Sequence, residues 1–560
     1  MIICGVKLSH DGGIAVVDGE RLLFSVEVEK IANGRRYSAI DDLQTISDVL
    51  AEEGLSPGDV DRFVVDGWYT DDDAPQVDIP VRQAGRPLRV PVGPYNPDEL
   101  RGGALRRYDF AGIAGGPFER GYVSYSHASN HILGGYCTSP FARRGEPALV
   151  LAWDGGLLPR LYDVTTDPIA VRYLGPLFPM VGEIFVRFCM GLDPFRLEPG
   201  SVSPERAEQH YYEVPGKAMA YAALGKVEPA AFDALGRLLS DFGATSFDPS
   251  IGQAMAEHRQ AYLPGMSSAD LIATFQAYVG KLLVDGFATH FARQGTTAPQ
   301  NLCLAGGCAL NIKWNSMVRD SGMFTEVWTP PFPNDAGAPI GTACCELINA
   351  TGHAQLDWDV YSGPRVTPSR PAAGWTSRPC DEAGLARVLH ETGEPVVVVD
   401  GRAELGPRSL GNRSILAPAI SPSMKTRLND IKGRAHYRPV APICLESRVR
   451  DVFDPGGSDP YMLFEHQLQP GWAEKIPAVV HLDGSARLQT IDPATSQSRS
   501  ARILAEYERI SGIPVLCNTS ANLSGRGFFP DVKTATEWGR TDYVWSAGEL
   551  FTKSDAVLDR

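Results

Sequence analysis

Two histidines four residues apart, His127 and His131 in "SHASNH", are the first candidates for chemistry. On a helix, positions i and i+4 share one face, so both imidazoles can point at one ion. Asp154 in "AWDGG" and Asp335 in "PNDAG" each follow a strand pattern and can add carboxylates. Two histidines with carboxylates and an open position suit Fe(II), Mn(II) or Zn(II). The alternative is ordinary helix packing, the commoner use of such a pair, and the spacing does not place Asp335 near His127.

A second candidate group lies near the amino terminus, in the turn "SHDGG" at 9–13. Apolar residues alternate on both sides, so the turn is predicted to join two strands. Asp11 can orient a phosphate-bound metal or deprotonate a hydroxyl group, and His10 can assist. The alternative is an aspartate that only caps the turn.

A glycine turn in "AGGCALN", residues 305–311, follows an apolar strand and opens a helix. Gly306 and Gly307 would let backbone N–H groups approach a phosphate, with the helix dipole assisting and Asn311 beside them. The same kind of turn also serves only to pack a helix closely on a sheet, so both interpretations stay open.

The carboxy-terminal half gathers cations and small polar residues in predicted loops at strand ends, in "GPRSLGNRSIL", "NDIKGRAHYRPVAP" and "CNTSANLSG". Arginine makes bidentate contacts with phosphate and lysine provides a point charge, so the group suits a small phosphorylated ligand. Taken singly, each cation is also a candidate for a surface ion pair. The candidates in these loops are Arg408, Arg413, Lys432, Arg434, His436, Tyr437, Arg438, Asn518, Thr519 and Ser520.

The length, the net charge and the distribution of apolar residues favour a globular enzyme. The chain has 560 residues, enough for two to four domains, and 52 Lys and Arg against 67 Asp and Glu give a net charge of −15. A nucleic-acid partner is not expected, because no basic stripe stands out. The longest apolar runs have strand length, far below the ~20 residues of a membrane span. We therefore expect a soluble, cytoplasmic protein with reduced cysteines and no membrane association.

Strand patterns alternate with helical ones along the chain, which predicts an α/β fold. "SHASNHILGGYC" is predicted as a helix with Ser126 as its N-cap. Residues 71–120 are rich in Pro, Gly, Arg and Asp, and we expect a long irregular insertion that acts as a lid. The unpatterned, Pro- and Arg-rich stretch 363–375 is the expected domain boundary.

Taken together, these strings resemble the O-carbamoyltransferase family of the nodulation, cephamycin and tobramycin carbamoyltransferases. The resemblance covers nearly the whole chain in family order, and "GPRSLGNRSIL" and the GG-ALN and NDAG elements are its most specific parts. The strings that carry it are "HDGGIAVVDG", "SHASNH", "WDGG", "GKAMAYAALG", "LAGGCALNIKWN", "PFPNDAGAPIG", "GPRSLGNRSIL", "YRPVAP" and "NTSANLSG".

The resemblance implies two domains. Residues 1–362 would be a carbamoyl-transfer domain similar to the tRNA threonylcarbamoyl-transferase and sugar-kinase/actin-like fold, 363–375 a linker, and 376–560 a YrdC-like α/β domain. The YrdC-like domain would make carbamoyl adenylate from carbamoyl phosphate and ATP, with Mg²⁺ accompanying ATP. The first domain would pass the carbamoyl group to a hydroxyl of a small-molecule natural product, as in antibiotic biosynthesis.

The resemblance also implies roles for the candidate residues. His127, His131, Asp154 and Asp335 would bind Fe²⁺ or another divalent metal. The cations Arg408, Lys432 and Arg438 would hold carbamoyl phosphate and the ATP phosphates, with Asn518 and Ser520 nearby. Asp11 is the expected base for the acceptor hydroxyl, with His10 second.

The sequence departs from the family pattern at the "EVEK" element, residues 27–30, and in the expanded 71–120 segment. These departures leave open the acceptor, O- versus N-carbamoylation, and the roles of Glu29 and Lys30. A tRNA-modifying transferase and an inactive ATP-binding module are the alternatives; the acidic charge disfavours the first, and the joint presence of metal-type and cationic residues disfavours the second. The oligomeric state is also open, with a homodimer as one option.

Overall fold

The computed structural model describes residues 1–69, 77–198, 200–242, 250–295 and 300–554. Its contacts group the chain into two units. The first holds residues 1–28, 37–219 and 225–359, and the second holds 29–36, 220–224 and 360–560. Segments 29–36 and 220–224 thus leave the first unit and belong to the second. The division at 363–375 expected from the sequence stays a prediction.

The first sheet of the first unit has the strand order β3-β2-β1-β4-β8-β7. β1 pairs antiparallel with β2 and parallel with β4, and β4 pairs parallel with β8. The strands are β1 (Ile2–Lys7), β2 (Gly13–Asp18), β3 (Arg21–Glu27), β4 (Arg62–Asp66), β7 (Tyr108–Phe110) and β8 (Tyr122–Tyr125).

The second sheet of this unit, ordered β11-β10-β9-β12-β13, follows the same plan. Three antiparallel strands in chain order are followed by two strands parallel to β9. The strands are β9 (Ala148–Ala152), β10 (Arg160–Thr166), β11 (Ile169–Pro176), β12 (Gln300–Ala305) and β13 (Phe324–Trp328). The unit therefore contains one sheet topology twice, and its mixed α/β character agrees with the sequence prediction.

Two helices that cross at glycines join the sheets of the first unit. In α2 (His127–Cys137) and α10 (Ala338–Thr351), a Cβ on Gly341 would lie 2.0 Å from the Asn130 carbonyl oxygen, and one on Gly134 would lie 3.1 Å from Gly341 Cα. Ser126 caps α2, as predicted, by accepting from the Ser129 N–H at 3.3 Å. The remaining helices are α1 (Gln44–Glu52), α3 (Pro140–Arg144), α4 (Gly182–Met190), α5 (Pro204–Tyr221), α6 (Phe232–Asp241), α7 (Ser250–His258), α8 (Ser268–Gln294) and α9 (Ile312–Asp320).

The 71–120 segment is more ordered than the sequence predicted, although 71–76 lie outside the described residues. β5 (Val77–Gln83) and β6 (Arg86–Val92) form a hairpin, and Ala84 and Gly85 both have positive φ, as tight hairpin turns require. The prolines hid this pattern. They are tolerated here because both strands of a two-stranded ribbon are edges, where a missing N–H need not break the ladder.

The second unit is built on a sheet ordered β14-β24-β23-β15-β16-β22-β17-β21. Alternate valines of β15 enter the hydrophobic cores on its two sides, which explains the uninterrupted "VVVV". Its strands are β14 (Trp375–Pro379), β15 (Val396–Val399), β16 (Arg413–Pro418), β17 (Ala441–Leu445), β21 (Gln489–Ile491), β22 (Val515–Ser520), β23 (Tyr543–Ser546) and β24 (Glu549–Lys553).

A small sheet and five helices complete the description of the second unit within residues 360–554. The small sheet contains β18 (Phe453–Asp454), β19 (His466–Leu468) and β20 (Ser485–Ala486). The helices are α11 (Glu382–Thr392), α12 (Ser423–Lys432), α13 (Val449–Val452), α14 (Arg499–Ser511) and α15 (Val532–Trp538).

One described helix, α8, is long and apolar enough by length and composition to cross a membrane. More than half of its most apolar window is buried within the protein, and the core helix of a soluble protein passes the same test.

The glycine crossing gives a first prediction. Gly341→Ala should lower the free energy of unfolding by about 1–3 kcal/mol, because the added methyl group meets backbone of α2 that a side-chain rotation cannot clear. Gly216→Ala is the matched control in α5, where an added Cβ meets nothing within 4 Å; it should be neutral or stabilising by up to about 1 kcal/mol. Urea unfolding of both variants measures the difference, and equal stabilities would contradict close packing at this crossing.

Candidate functional site

The first unit brings polar side chains together where its parallel strands end. Lys7 is the last residue of β1 and Asp66 the last of β4, while Asp154 follows β9 and Gly306 follows β12. The carboxyl ends of parallel strands meet at one edge of a sheet, which is where ligands bind in α/β proteins. Helices α2 and α10 both begin at this edge; α2 adds the two histidines, and Asp335 lies in the turn that precedes α10.

The structure brings together the four residues that the sequence proposed as metal ligands. One donor atom each from His127, His131, Asp154 and Asp335 lies within 4.8 Å of the others. The two histidine Nε2 atoms are 3.1 Å apart, and each is 3.4 Å from Asp335 Oδ1 and 4.0 Å from Asp154 Oδ2. Three of the residues are buried and Asp154 is partly buried.

The chemistry of this donor set fits a divalent cation. Imidazole nitrogens and carboxylate oxygens converge on one point, and at these distances unprotonated acceptors would repel one another without a positive charge between them. With both histidines neutral, as metal binding requires, Asp66, Asp154 and Asp335 with Lys7 leave two uncompensated negative charges, which a divalent ion would neutralise. Nitrogen and oxygen donors of this kind suit Fe(II), Mn(II) or Zn(II).

Asp66 orients the first histidine. Its carboxylate oxygens lie 2.9 and 3.1 Å from His127 Nδ1, so that nitrogen donates and Nε2 is turned to the cluster. Asn130, one turn along α2, also donates to Asp66. Burial raises the pKa of Asp66, but the charges of His127 and Lys7 outweigh it and hold the pKa at about 2. The carboxylate is therefore ionised and can hold the imidazole in one orientation.

Lys7 bridges two carboxylates beneath the cluster. Its Nζ, fully buried, lies 2.8 Å from Asp66 Oδ2 and 2.9 Å from Asp335 Oδ2, and it sits over the Trp68 ring at 4.2 Å. Burial lowers the pKa of Lys7, but Asp335 and Asp66 more than offset this and raise it above its ordinary value. Lys7 therefore carries a permanent charge that holds Asp335 in place.

His10 and Asp11 form a pair at the edge of the cluster. His10 Nδ1 is 3.2 Å from Asp11 Oδ2, and His10 Nε2 is 3.5 Å from Asp335 Oδ2. Asp11 has a positive φ of 53°, a backbone conformation uncommon outside glycine, which indicates that its placement is set by the surrounding structure. The arrangement lets Asp11 orient His10 and leaves the far nitrogen of His10 facing the cluster.

A layer of aromatic rings adjoins His10. The His10 ring lies 5.1 Å from Trp68 and 4.7 Å from Tyr212, and Tyr212 in turn lies 5.0 Å from Tyr37. Tyr69, which is 40% exposed, stands edge-on to Trp68. Such rings offer flat apolar faces to an organic molecule.

The glycine turn donates a backbone hydrogen bond to Asp154. Gly307 N–H donates to Asp154 Oδ1 at 2.6 Å, and a Cβ on Gly307 would lie 2.8 Å from that oxygen. Gly306 has a positive φ of 88° and packs against the Trp153 backbone. Asn311 caps α9 by accepting from the N–H groups of Lys313 and Trp314. The contacts described here are structural. That Gly306, Gly307 and Asn311 bind a phosphorylated ligand stays a prediction.

The second unit gathers cations around Lys432. Its Nζ donates to the Ser520 carbonyl at 2.6 Å and to the Asn522 carbonyl at 2.9 Å, both neutral oxygens. Burial and then the neighbouring cations Arg434, Arg36, Arg438 and Arg540 hold the pKa of Lys432 well below its ordinary value. A group of cations that destabilise one another in this way is suited to an anion.

Arg487 joins this cationic group and was missed in the sequence. Burial, Arg438 and Arg434 lower its pKa to about 10, and its buried Nε has no hydrogen-bond partner among the described residues. It stands in "SARLQT", which matches no recognisable motif. Arg434 stands in the string "NDIKGRAHYRPVAP". It donates to Asn429 Oδ1 at 2.7 Å and to Thr519 Oγ1 at 3.1 Å.

The other predicted residues of the second unit hold the loop before β16 against the sheet. Asn518 donates to the Ser409 carbonyl at 3.0 Å and to Gln489 Oε1 at 2.7 Å, next to half-buried Arg408. Ser520 Oγ lies 2.6 Å from Asn522 Oδ1, beside Lys432. Buried Glu404 shapes the same loop, because its Oε1 accepts from the N–H groups of Leu410, Asn412 and Arg413.

The "EVEK" departure has a structural role in the second unit. Lys30 Nζ donates to the carbonyls of Glu404 at 2.6 Å and Gly406 at 2.8 Å, and it lies over the Phe528 ring. Glu29 is buried. Segment 29–36 therefore brings Arg36 to the cations around Lys432.

The comparisons identify the family. The family model described as carbamoyltransferase N-terminus matches residues 2–85 and 114–344, and that described as carbamoyltransferase C-terminus matches 386–544. The chain belongs to the carbamoyltransferase family. As a member, it is an enzyme that transfers carbamoyl groups, which confirms the resemblance inferred from the sequence.

Relatives match over nearly the full length. Nodulation protein U of Rhizobium tropici is 45% identical over 99% of this chain and 96% of its own length. The 3'-hydroxymethylcephem-O-carbamoyltransferase of Streptomyces clavuligerus is 33% identical over 96% of both chains. Among solved structures, component A of (R)-2-hydroxyglutaryl-CoA dehydratase from Acidaminococcus fermentans matches with a TM-score of 0.30 and 12% identity, covering 61% of this chain and 96% of that one.

The Asp66–His127 contact gives a second prediction. Asp66→Asn should weaken metal binding about 10–100-fold, because the uncharged side chain no longer fixes the His127 Nδ1 proton. Competition titrations with Fe²⁺ or Co²⁺ on the folded variant would measure this. Asp61→Asn is the control, since the Asp61 side chain accepts from the Ile2 N–H at the exposed end of β4, where it is not part of the cluster. Equal affinities in all three proteins would make Asp66 a packing residue only.

Proposed function

We propose that this enzyme is an ATP-dependent carbamoyltransferase with two sites. The second unit forms carbamoyl adenylate from carbamoyl phosphate and ATP, and the first transfers its carbamoyl group to a hydroxyl of a small natural product. The observation that carries the proposal is the cluster of His127, His131, Asp154 and Asp335 beside the His10–Asp11 pair. The name of the cephem relative gives a hydroxymethyl oxygen as its acceptor, which supports a hydroxyl here.

Adenylation in the second unit overcomes the weak electrophilicity of carbamate. Carbamoyl phosphate and water give carbamate and inorganic phosphate; a carbamate oxygen then bonds to the α-phosphorus of ATP and pyrophosphate leaves. Both substrates are polyanions, and Lys432, Arg434, Arg438 and Arg487 supply charge against their phosphates, with Mg²⁺ accompanying ATP. Arg408 extends the same cationic region.

Transfer in the first unit needs a base and a fixed electrophile. A divalent metal held by the four-residue cluster would supply positive charge to the adenylate and polarise its carbonyl. His10 Nε2 accepts the proton of the acceptor hydroxyl as its oxygen bonds to the carbamoyl carbon and AMP leaves. Asp11 holds His10 Nδ1 at 3.2 Å and stabilises the imidazolium. The geometry thus favours His10 as the base, where the sequence put Asp11 first.

The finer fold assignments belong to the same proposal. The duplicated sheet topology of the first unit supports an actin/sugar-kinase-like domain. The YrdC-like assignment of the second unit rests on the sequence resemblance and on its cationic loops. A cytoplasmic location is consistent with ten free cysteines and with ATP as substrate.

A pair of variants tests the division into two sites. His127→Ala should lose metal and transfer but keep carbamoyl-phosphate-dependent ATP–pyrophosphate exchange. Lys432→Ala should keep the metal and use supplied carbamoyl adenylate, while exchange falls about 100-fold or more because a positive charge that would face the phosphates is lost. Lys475→Ala, at an exposed lysine of the second unit over the Trp472 ring, is the control. Loss of exchange in folded His127→Ala protein would contradict the two-site mechanism.

The roles of His10 and Asp11 are tested by comparing His10→Asn with Asp11→Asn. Transfer from supplied adenylate should fall about 10²–10⁴-fold in the first variant and less in the second, because Asp11 acts through His10. Metal content and pyrophosphate exchange should be unchanged in both. A larger loss in Asp11→Asn would make Asp11 the base.

A further inference from the structure

A tyrosine from the 71–120 insertion contacts a candidate metal ligand. Tyr95 donates its hydroxyl hydrogen to Asp154 Oδ2 at 3.1 Å, and its side chain is buried. We propose that Tyr95 is a positioning residue that fixes the Asp154 carboxylate for metal binding. This inference rests on the metal centre of the proposed function and adds to it a residue outside the four ligands.

Each carboxylate oxygen of Asp154 accepts a hydrogen bond from a different donor. Oδ1 accepts from the Gly307 N–H at 2.6 Å, and Oδ2 accepts from the Tyr95 hydroxyl. Oδ2 is also the oxygen that lies 4.0 Å from both histidine Nε2 atoms, so it faces the cluster. Asp154 follows the end of β9 and is only partly buried. Without the phenol, the Gly307 N–H would be left as its hydrogen-bond donor among the described residues.

Tyr95 is itself fixed against the first histidine ligand. Its ring stacks on Tyr69 with a 3.8 Å centroid distance and on His127 with 4.6 Å. Its carbonyl accepts from the Ala128 N–H at 2.9 Å, and the preceding Pro94 carbonyl accepts from the His127 N–H at 3.1 Å. These N–H groups belong to the first turn of α2, which has no intrahelical acceptors for them. One short segment therefore sets both the start of α2 and the orientation of Asp154.

The family model does not cover this segment. Its matched regions stop at residue 85 and resume at 114, so Tyr95 lies between them. The contact is made from the stretch 71–120, which the sequence predicted as an irregular insertion. Another role for the same hydroxyl is direct contact with the acceptor, and the experiment below separates the two.

Metal binding to Tyr95→Phe tests the proposal. This variant keeps the ring and its stacking and removes only the hydroxyl. We expect Co²⁺ and Fe²⁺ affinities about 10-fold weaker than wild type, and an altered visible spectrum of the Co²⁺ protein, because Asp154 coordinates in a less fixed geometry. The thermal midpoint and pyrophosphate exchange should stay unchanged. Tyr122→Phe is the matched control, because this buried tyrosine donates to the Pro91 carbonyl of the same insertion at 2.7 Å.

The outcomes separate this inference from the proposed function. If Tyr95→Phe matches wild type in affinity and spectrum, the positioning role is overturned while the metal centre stands. If instead only the KM for the acceptor rises, Tyr95 binds acceptor and the positioning role is also wrong. If wild-type protein binds no metal at all, the metal centre of the proposed function is wrong. Weaker metal binding in Tyr95→Phe but not in Tyr122→Phe supports the proposal.

Discussion

The first unit depends on a buried ammonium group between two buried carboxylates. Lys7 has no exposed surface, and it contacts both Asp66 and Asp335. Each of these charges alone would be costly to bury, and removing one partner of such a pair typically costs about 3–5 kcal/mol. The ends of β1 and β4 and the start of α10 are therefore held to one geometry. The orientation of His127 by Asp66 depends on that geometry in turn.

Close helix packing converts this local arrangement into a site. Because Gly134 and Gly341 let α2 and α10 approach, His127 and His131 come within reach of Asp335, which precedes α10. Imidazole and carboxylate donors must be placed to within a few tenths of an ångström for a metal, and loops alone rarely achieve this. Here the donors stand on helix ends and strand ends, whose positions are fixed by backbone contact rather than by flexible side chains.

Whether a contact could be predicted from the sequence depended on how far apart its residues lie along the chain. The i, i+4 spacing of His127 and His131 and the cap at Ser126 are local, and both follow from helix geometry. The prediction that Asp154 and Asp335 lie near the histidines needed the family resemblance, because the spacing of residues along the chain does not show which strands pair in parallel. Lys7 and Asp66 escaped notice for that reason: they meet only because β1 pairs with β4. Arg487 and Tyr95 lie in segments without a recognisable pattern, where only the path of the chain shows what they contact.

The two units have opposite electrostatic demands, which would account for the two sites of the proposed mechanism. In the second unit, burial and neighbouring cations, among them Arg438 in each case, lower the pKa values of Lys432, Arg434 and Arg487, so a polyanion relieves repulsion when it binds. In the first unit, the carboxylates outnumber the nearby fixed cation, and an adenylate would be repelled until a divalent cation has bound. In the proposed mechanism, ATP and carbamoyl phosphate bind among the cations, and the metal binds among the carboxylates. Two separate sites would let each set of charges be arranged for its own step, and the metal would be a condition for accepting the activated donor.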